Sequence, residues 1–299
     1  MTTPVHLAIG AFDGVHLGHR AVLRSARAAA RADGGIVGVL TYDPHPSKIL
    51  RPESAVPLIF TRAQKDERLT EAGAQRIHHE KFDRAHAGIE AGDFPKWLKQ
   101  AFPHLKSLHV GSNFQYGRGR AGHGETLIAH AAAEGLDVRL VAAVQLGAET
   151  VSSSRIRQCL AGGDLDLANA MLHRPYEAEG IIIGGRRLGR TIGFPTVNVA
   201  WEPELKPAYG VYAVEVIFQG EALPAVANYG QRPTVESGPV APLLEAHVLR
   251  GEAPTTGDAV RVRWVRRLRA EQKFADLAAL QAQIAQDAAQ ARQALGLLG

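Results

Sequence analysis

The sequence predicts a two-domain protein: an α/β domain with a parallel sheet over residues 1–172, then a β-barrel with a terminal helix over residues 173–299. In the first part, short β-rich runs alternate with helical stretches, which favours βαβ units on a parallel sheet. After Leu172 the runs are β-rich and are separated by Gly and Pro turns until one helical stretch closes the chain. A length of 299 residues suits about two domains, and 45% hydrophobic residues can fill their cores.

The first part alternates strands and helices in order. The predicted strands are 5–9, 36–42, 76–81, 108–110 and 138–143, and the predicted helices are 19–32, 61–72 and 126–134. Thr61 and Gln64 fit a capping box at the start of the second helix, and Gly73 fits a left-handed cap at its end.

The second part reads as strands up to the terminal helix. Strands are predicted at 211–218, 243–250 and 260–265. The helix is predicted at 276–295, because apolar residues recur there at helical spacing, namely Leu277, Leu280, Ile284 and Ala288.

Composition limits the class of protein. A net charge of +4 and a pI near 9.3 favour anionic ligands such as nucleotides without requiring nucleic acid. The single cysteine, Cys159, excludes an internal disulfide framework and suits a cytoplasmic location. No long apolar run and no basic stretch followed by an apolar one is present, so neither a membrane span nor a signal peptide is expected.

The stretch GAFDGVHLGH at residues 10–19 follows the first strand and opens the first helix. The strand ends at the carboxyl edge of the sheet, where open α/β folds place ligands, and glycines let the backbone approach a ligand closely. The helix N-terminus points its positive end at the same place. These features predict a phosphate site, with candidate residues Gly10, Phe12, Asp13, Gly14 and Gly18.

His16 and His19 are three residues apart, so on a helical first turn they share a face. Both are predicted to donate hydrogen bonds to phosphate oxygens and to stabilise charge growing there, rather than to act as nucleophiles. A metal site is the alternative, but no third ligand is obvious nearby. Asp13 alone is also compatible with an ordinary turn residue.

The segment VSSSRIR at residues 151–157 predicts a serine cap followed by a short helix with two arginines in its first turn. Arginines there oppose the helix dipole, which makes sense if an anion lies between them. Ser153, Ser154 and Arg157 are therefore phosphate-binding candidates. An ordinary capped helix with solvated arginines is the alternative.

Two further segments lie between these motifs. DPHP, which contains His45, ends the second strand, and GSNFQYGRGRAG at residues 111–122 contains Asn113 and Arg118. We interpret the second segment as a basic lid rather than a dinucleotide fingerprint, since its GxGxxG does not directly follow a strand. His45 between two prolines is also compatible with simple turn structure.

In the second part, GGRRLGRT at residues 184–191 nearly spells a P-loop, but the glycine and proline that follow prevent a helix. A glycine-rich arch over phosphates, using Gly184, Gly189 and Arg190, fits better. Thr196 and Asn198 lie two apart on an extended segment and offer neutral oxygens to a hard cation. Mg²⁺ bridging nucleotide phosphates is the natural occupant, whereas loop capping is the alternative.

Arginines cluster between residues 261 and 269, interleaved with Trp264. Alternation along a strand places Arg261 and Arg263 on one face, so this run is compatible with a nucleic-acid stripe. A solvated barrel exterior is the simpler interpretation for most of them.

The first part resembles the nucleotidyltransferase domain of the bacterial bifunctional riboflavin kinase/FAD synthetases in GAFDGVHLGH, DPHP, GSNFQYGRGRAG and SSSRIR, in that order. The resemblance implies a Rossmann-like nucleotidyltransferase fold in which His16, His19, Ser153 and Arg157 handle ATP phosphates. It also implies flavin contacts by His45, Asn113 and Arg118. Asn113 stands where many members carry aspartate, and Ser154 replaces a usual threonine.

The second part resembles the riboflavin kinase β-barrel with its terminal helix, in GRTIGFPTVN, YGVYAVEV, VANYGQRPT, LLEAHVL and RRLRAEQKF. The resemblance implies that Glu245 is the general base for the ribityl 5′-hydroxyl and that Arg269 lies in a segment that closes over the flavin. Residues 250–257 depart from the acidic, aromatic stretch that relatives usually carry there.

The expected function is therefore ATP-dependent phosphorylation of riboflavin to FMN and adenylylation of FMN to FAD, both with Mg²⁺. Riboflavin, FMN and ATP are the expected partners, and neither nucleic acid nor a membrane is expected. Two alternatives stay open: an FMN adenylyltransferase with a weakened kinase half, and a non-catalytic flavin- or RNA-binding regulator.

Overall fold

The computed structural model describes residues 3–184, 193–231 and 242–297. The chain divides into two compact units, Met1–Ser153 and Ser154–Gly299. The predicted parallel sheet and the predicted barrel with a terminal helix are both confirmed, one in each unit.

The first unit is built on a five-stranded parallel sheet with the order β3-β2-β1-β4-β5. Its strands are β1 (Val5–Ile9), β2 (Ile36–Asp43), β3 (Arg76–Lys81), β4 (Leu105–Gly111) and β5 (Asp137–Val141), and a two-stranded ribbon follows, β6 (Gln145–Leu146) and β7 (Glu149–Thr150). Strand β1 is central and pairs with β2 on one side and β4 on the other.

Helices cover both faces of this sheet. They are α1 (Leu17–Asp33), α2 (Pro46–Leu50), α3 (Arg62–Glu71), α4 (Arg84–Ala87), α5 (Phe94–Ala101) and α6 (Gly124–Ala133). Alternation along β1 sends Leu7 and Ile9 toward α5 and α6, and Ala8 toward α1. The capping box of Thr61 and Gln64 at the start of α3 is confirmed.

Helix α1 is amphipathic and has defined ends. Its buried stripe recurs at helical spacing, with Val22, Leu23, Ala26 and Ala30 facing the sheet. Gly34 ends the helix with a φ of 71°, and its N–H donates to the Ala30 carbonyl. The packing fixes where the N-terminus of α1 points.

A chain of polar side chains also fastens α1 to the sheet. Ser25 Oγ bonds His109 Nδ1 at 2.8 Å, His109 Nε2 bonds Ser107 Oγ at 2.8 Å, and Ser107 Oγ bonds His6 Nδ1 at 2.7 Å. His6 Nε2 reaches Asp33 Oδ1 at 3.0 Å. With both imidazoles neutral and protonated on Nε2, every donor meets an acceptor, and the chain ends on the Asp33 carboxylate.

The second unit is a closed six-stranded barrel in the order β10-β11-β12-β9-β8-β13. Two helices precede the barrel, α7 (Ser153–Gly162) and α8 (Leu165–Leu172). The strands and the last helix are β8 (Tyr176–Ile183), β9 (Val197–Ala200), β10 (Gly210–Phe218), β11 (Glu221–Gln231), β12 (Pro242–Val248), β13 (Ala259–Arg269) and α9 (Leu277–Ala294).

Aromatic rings fill the barrel interior. Trp264 is fully buried, and its ring centroid lies 4.6 Å from that of Tyr212 and 5.6 Å from that of Tyr229. Asn169 of α8 donates to the Trp264 carbonyl at 2.8 Å and accepts from the Tyr176 N–H at 2.8 Å, which joins that helix to the barrel.

The terminal helix α9 is held by a buried ion pair. Arg269 Nε donates to Asp287 Oδ1 at 2.9 Å and Nη2 donates to Oδ2 at 2.7 Å. This two-pronged geometry suits a guanidinium and a carboxylate, and only 4% of the Asp287 side chain is exposed.

Candidate active sites

The carboxyl edge of the parallel sheet gathers three of the predicted segments. β1, β2 and β4 are adjacent and parallel, so their carboxyl ends meet at one edge. The loop from Gly10 follows β1, His45 follows β2 and Asn113 follows β4. Strands β2 and β3 lie on one side of β1, and β4 and β5 lie on the other. The strand order reverses beside β1, which makes this edge a topological switch point, where such folds bind ligands.

The loop between β1 and α1 has an unusual backbone. Gly14 has a φ of 87°, and two residues with side chains, Phe12 and Val15, have φ values of 51° and 39°. Left-handed backbone is costly for a β-branched residue, so strain is concentrated in this loop, as is common at functional sites. The prediction credited only glycines with this freedom, and it missed Phe12 and Val15.

Gly18 is required for close approach rather than for its φ. A Cβ there would lie 3.1 Å from His16 Cε1 and 3.2 Å from His16 Nδ1, which is tighter than ordinary contact. Gly10 has more room, since its Cβ would meet the Phe12 ring at 3.5 Å.

His16 and His19 form a stacked pair at the start of α1. Their ring centroids are 3.6 Å apart, and His16 Nδ1 accepts from the His19 backbone N–H at 3.4 Å. His19 Nδ1 is buried and finds no hydrogen-bond partner among the described residues. The stacked rings lie on one face of the helix, as the three-residue spacing predicts.

Burial lowers the pKa of His19 well below its usual value, and the neighbouring His16 and Lys65 lower it further. Two imidazoles in such close contact disfavour a charge on both rings. His19 is therefore neutral at neutral pH and has one N–H to donate.

Asp13 and Ser153 fix the loop. Both carboxylate oxygens of the buried Asp13 accept from the Ile59 N–H, at 3.0 and 3.3 Å. Ser153 Oγ donates to the Asp13 carbonyl at 2.8 Å. Ser153, which is 140 residues from Asp13 in sequence, thus meets the histidine motif at this point.

Of the predicted flavin-binding residues of the first unit, His45 and Arg118 contact other side chains and Asn113 is exposed. His45 caps α2, with Nδ1 2.9 Å from Ser47 Oγ. Asn113 is exposed in the loop after β4. Arg118 lies farther along that loop, and its Nη2 is 2.7 Å from Glu90 Oε1.

Lys65 of α3 was not among the site residues predicted from the sequence. Its Nζ donates to Thr41 Oγ1 at 3.2 Å, and Thr41 Oγ1 donates to the Ala11 carbonyl in the motif loop at 3.0 Å. A signal was present, because Lys65 follows the Thr61 capping box by one turn, next to the strand edge.

Ser154 and Arg157 lie in the first two turns of α7, which confirms the predicted short helix, whereas the serine cap stays a prediction. Both belong to the second compact unit. Their predicted contact with ATP phosphates stays a prediction.

The barrel carries a second polar cluster, formed by a row across three strands. Glu245 of β12 is paired in register with Asn228 of β11 and Asn198 of β9. Leu244 and Ala246 on either side are buried in the interior, so the row faces the outside of the barrel. Asn228 Nδ2 also lies 3.4 Å from Glu271 Oε1.

Asn198 fits the predicted magnesium ligand. Its Oδ1 is buried and has no hydrogen-bond partner among the described residues. A neutral amide oxygen beside a carboxylate matches the preferences of a hard cation. Thr196, two residues earlier, is exposed just before β9.

The remaining predicted residues of the second unit are placed as follows. Gly184 ends the described part of the β8–β9 connection and is exposed, whereas Gly189 and Arg190 lie outside the described residues. Arg269 makes the ion pair with Asp287, and its guanidinium carbon lies 5.8 Å from the Phe274 ring centroid.

The arginine run pairs with acids. Arg261 Nη2 lies 2.6 Å from Glu179 Oε1, and Arg263 Nε lies 3.1 Å from Glu177 Oε1. Arg267 donates to the Tyr209 carbonyl at 2.9 Å. A strand whose arginines are neutralised in this way is a poor phosphate stripe, which weakens the nucleic-acid alternative.

Within residues 3–184, 193–231 and 242–297, no group of three or more His, Cys, Asp or Glu is arranged to hold a metal ion. The zinc alternative for the histidine pair therefore gains no third ligand there. None of the helices in the described part of the chain is both long and apolar enough to cross a membrane.

A stacked histidine pair at a switch-point helix and a carboxylate–amide row on a barrel define a class: a two-part enzyme that transfers phosphorus-containing groups. Two family models match the chain accordingly. The model for FAD synthetase matches residues 1–155, and the model for riboflavin kinase matches residues 172–295. The domain boundary at residues 172/173 stays a prediction.

Relatives along nearly the whole length identify the family. The bifunctional riboflavin kinase/FMN adenylyltransferase of Escherichia coli K12 is 37% identical and covers 97% of this chain and 93% of its own. The Bacillus subtilis enzyme of that name is 34% identical, covering 94% and 89%. The chain belongs to the bifunctional riboflavin kinase/FMN adenylyltransferase family.

A solved structure also matches the whole chain. It is from Streptococcus pneumoniae, is described as a macrolide-efflux protein, and superposes with a TM-score of 0.88 at 28% identity over 98% of this chain and 95% of its own.

Proposed function

We propose that the first unit adenylylates FMN at the edge of the parallel sheet and that the barrel phosphorylates riboflavin at the row of Glu245. The observation that supports this division is that each unit holds its own polar cluster, one at His16 and His19 and one at Asn198, Glu245 and Asn228. Both reactions use ATP, which is attacked at different phosphorus atoms.

In adenylyl transfer, a phosphate oxygen of FMN attacks the α-phosphorus of ATP. The new bond joins that oxygen to phosphorus, and the bond to the bridging oxygen breaks, so that its electron pair leaves with pyrophosphate. His16 and His19 donate to phosphate oxygens, His19 as a neutral imidazole, and the α1 N-terminus adds its partial positive charge. The strained loop at 12–15 holds these donors in place before ATP arrives.

The other predicted contacts complete this site in the proposal. Ser153 and Arg157 bind phosphates of ATP, with Ser154 beside them. His45, Asn113 and Arg118 line the flavin side, because β2 and β4 deliver their segments to the same edge as the histidine pair.

In the kinase reaction, Glu245 accepts the proton of the ribityl 5′-hydroxyl as its oxygen attacks the γ-phosphorus, and ADP leaves. Asn198 and Thr196 are the proposed ligands of Mg²⁺, which when bound neutralises phosphate charge. Gly184, Gly189 and Arg190 are the proposed phosphate-binding residues, of which Gly189 and Arg190 lie outside the described residues, and Arg269 belongs to the segment proposed to close over the flavin. The orphaned Asn198 Oδ1 beside Glu245 supports this placement.

We place the protein in the cytoplasm, where riboflavin, FMN and ATP are its partners and neither nucleic acid nor a membrane is required. The single cysteine and the acid-paired arginines support this proposal.

Glu245→Gln tests the division of labour. The variant should lose FMN formation from riboflavin and keep FAD production from supplied FMN, as measured by chromatography of the flavins. Loss of both activities in a folded variant would contradict separate sites. Wild-type protein that makes FAD from FMN but not from riboflavin would instead support the weakened-kinase alternative.

A further inference from the structure

Lys65 makes no close ion pair with a carboxylate among the described residues. Its side chain is half-buried on the first turns of α3, and the hydroxyl of Thr41 is its one hydrogen-bond partner among the described residues. No carboxylate oxygen in that part of the chain lies within salt-bridge distance of its Nζ, although Asp13, Asp43 and Asp66 are near enough to act on it. Lysines out of water usually make a close ion pair, whereas here the carboxylates act only from a longer distance and leave N–H donors of the ammonium to an anionic ligand.

A hydrogen bond to Thr41 of β2 fixes the position of the Lys65 side chain. Thr41 is fully buried in β2, accepts from the Lys65 ammonium and donates to the Ala11 carbonyl. The hydroxyl thus links the ammonium to the loop that precedes the histidine pair. A flexible side chain is held at the edge of the sheet that the proposed function assigns to ATP.

The neighbours of Lys65 define where its charge acts. Burial lowers the pKa of His19 and the charge of Lys65 lowers it further, while Asp13 opposes the lowering of the Lys65 pKa by burial, so the ammonium lies near both. Asp13 already uses both carboxylate oxygens on the Ile59 N–H. One of the three N–H donors of the ammonium goes to Thr41 Oγ1, which leaves two for a ligand of the motif loop.

The chemistry of adenylyl transfer requires such a charge. The leaving pyrophosphate gains an electron pair, His19 is neutral, and the helix N-terminus supplies only about half an elementary charge, so a second fixed cation besides the proposed Arg157 adds to its stabilisation. A fixed ammonium beside the phosphates stabilises that growing charge directly.

We propose that Lys65 is a catalytic cation of adenylyl transfer, which binds the phosphate chain of ATP beside His19 and stabilises the departing pyrophosphate. This inference rests on the proposed function of the first unit. It adds a residue to that site and assigns its ligand, an inorganic di- or triphosphate group.

Lys65→Met tests it in the full-length protein. The variant should lower kcat for FAD formation from FMN by about 100-fold, as for loss of one charged transition-state donor. It should weaken binding of inorganic pyrophosphate at least 10-fold by calorimetry. Phosphorylation of riboflavin by the same molecule should stay within twofold, and Lys65→Arg should recover part of the lost rate.

Two matched variants separate catalysis from support of the loop. Thr41→Val removes the tether and keeps the charge, so it should cost far less rate than Lys65→Met. Lys81→Met removes an exposed lysine of β3 and should change neither activity. If Thr41→Val and Lys65→Met lower the rate equally while pyrophosphate binding is retained, Lys65 only supports the loop and the inference is wrong.

Failure of this inference is distinguishable from failure of the proposed function. Wild-type protein that makes no FAD would refute the function, whereas wild-type activity with Lys65→Met within threefold of it would refute only the role of Lys65. If Lys65→Met fails to fold, Lys65→Gln keeps a donor for Thr41 and should show the same 100-fold loss. A folded Lys65→Gln variant with near-normal kcat would overturn the proposal.

Discussion

The polar chain that fastens α1 to the sheet makes one strong prediction about stability. Ser107 is its central link, with hydrogen bonds of 2.7 Å to His6 and 2.8 Å to His109. All three side chains are buried. Ser107→Ala removes both bonds and leaves two ring nitrogens without partners in a site that is closed to water.

The expected loss of stability comes from the two unpaired ring nitrogens. Leaving one buried polar group unsatisfied costs about 1–3 kcal/mol, so two cost about 3 kcal/mol when partial relaxation is allowed for. A change of that size corresponds to about a 100-fold change in an opening equilibrium. Amide hydrogens of β1 and β4 should exchange about 100-fold faster in the variant.

Hydrogen-exchange mass spectrometry of the full chain measures this directly, because barrel peptides act as an internal reference. Ser112 is an exposed serine of the loop after β4. The control Ser112→Ala should change the free energy of opening, obtained from the exchange rates, by less than about 0.5 kcal/mol. If Ser107→Ala leaves the exchange of β1 and β4 unchanged, the chain does not hold α1, and the reasoning is refuted.

Three further predictions concern the two sites and their supports. His19→Ala should abolish FAD formation from FMN and leave FMN formation intact, measured by flavin chromatography; equal loss of both would refute it. Burial lowers the pKa of His109 to about 4, below its unfolded value of about 6.5, so the unfolded state binds the extra proton. The free energy of unfolding of the first unit should therefore fall as the pH drops from about 6.5 to about 4. Urea titrations should show a smaller fall in this free energy for His109→Gln. Asp287→Ala leaves Arg269 unpaired and should destabilise the barrel unit by about 3 kcal/mol in urea unfolding, whereas Asp166→Ala, an exposed partner of Arg266, should cost about 0.5 kcal/mol or less.

Strands with simple patterns were predictable from the sequence. β1 and β3 were predicted to the residue and β2 within one residue, and apolar runs that end at Gly10 and Asp43 mark β1 and β2. β4 was predicted too short, at 108–110 instead of Leu105–Gly111. Ser107 and His109 are buried there as partners of each other, and local pattern cannot reveal a polar pair that is satisfied across the fold.

Helices α5 and α8 and strands β8 and β11 were not predicted. The start of α5 carries Pro95, which suggests a break unless its position in the first turn is known. In β8 and β13, glutamates of one strand pair with arginines of the other. These pairs depend on how the two strands are aligned, so the sequence of β8 alone does not reveal them.

The candidate sites were predictable where a motif carried them and not elsewhere. The histidine pair, Asn198 and Glu245 were named from sequence, and the structure groups them as two clusters. Lys65 was missed because its significance comes from Thr41 and Ala11, which reach it through strand pairing and not through spacing.

The central claim is that one chain carries two phosphate-transfer sites that act in sequence. A chromatographic time course of purified protein with riboflavin and MgATP tests it most directly. FMN should rise first with one ADP released per FMN, and FAD should follow with one pyrophosphate per FAD. Riboflavin that stays unphosphorylated, together with supplied FMN that is never adenylylated, would contradict the account.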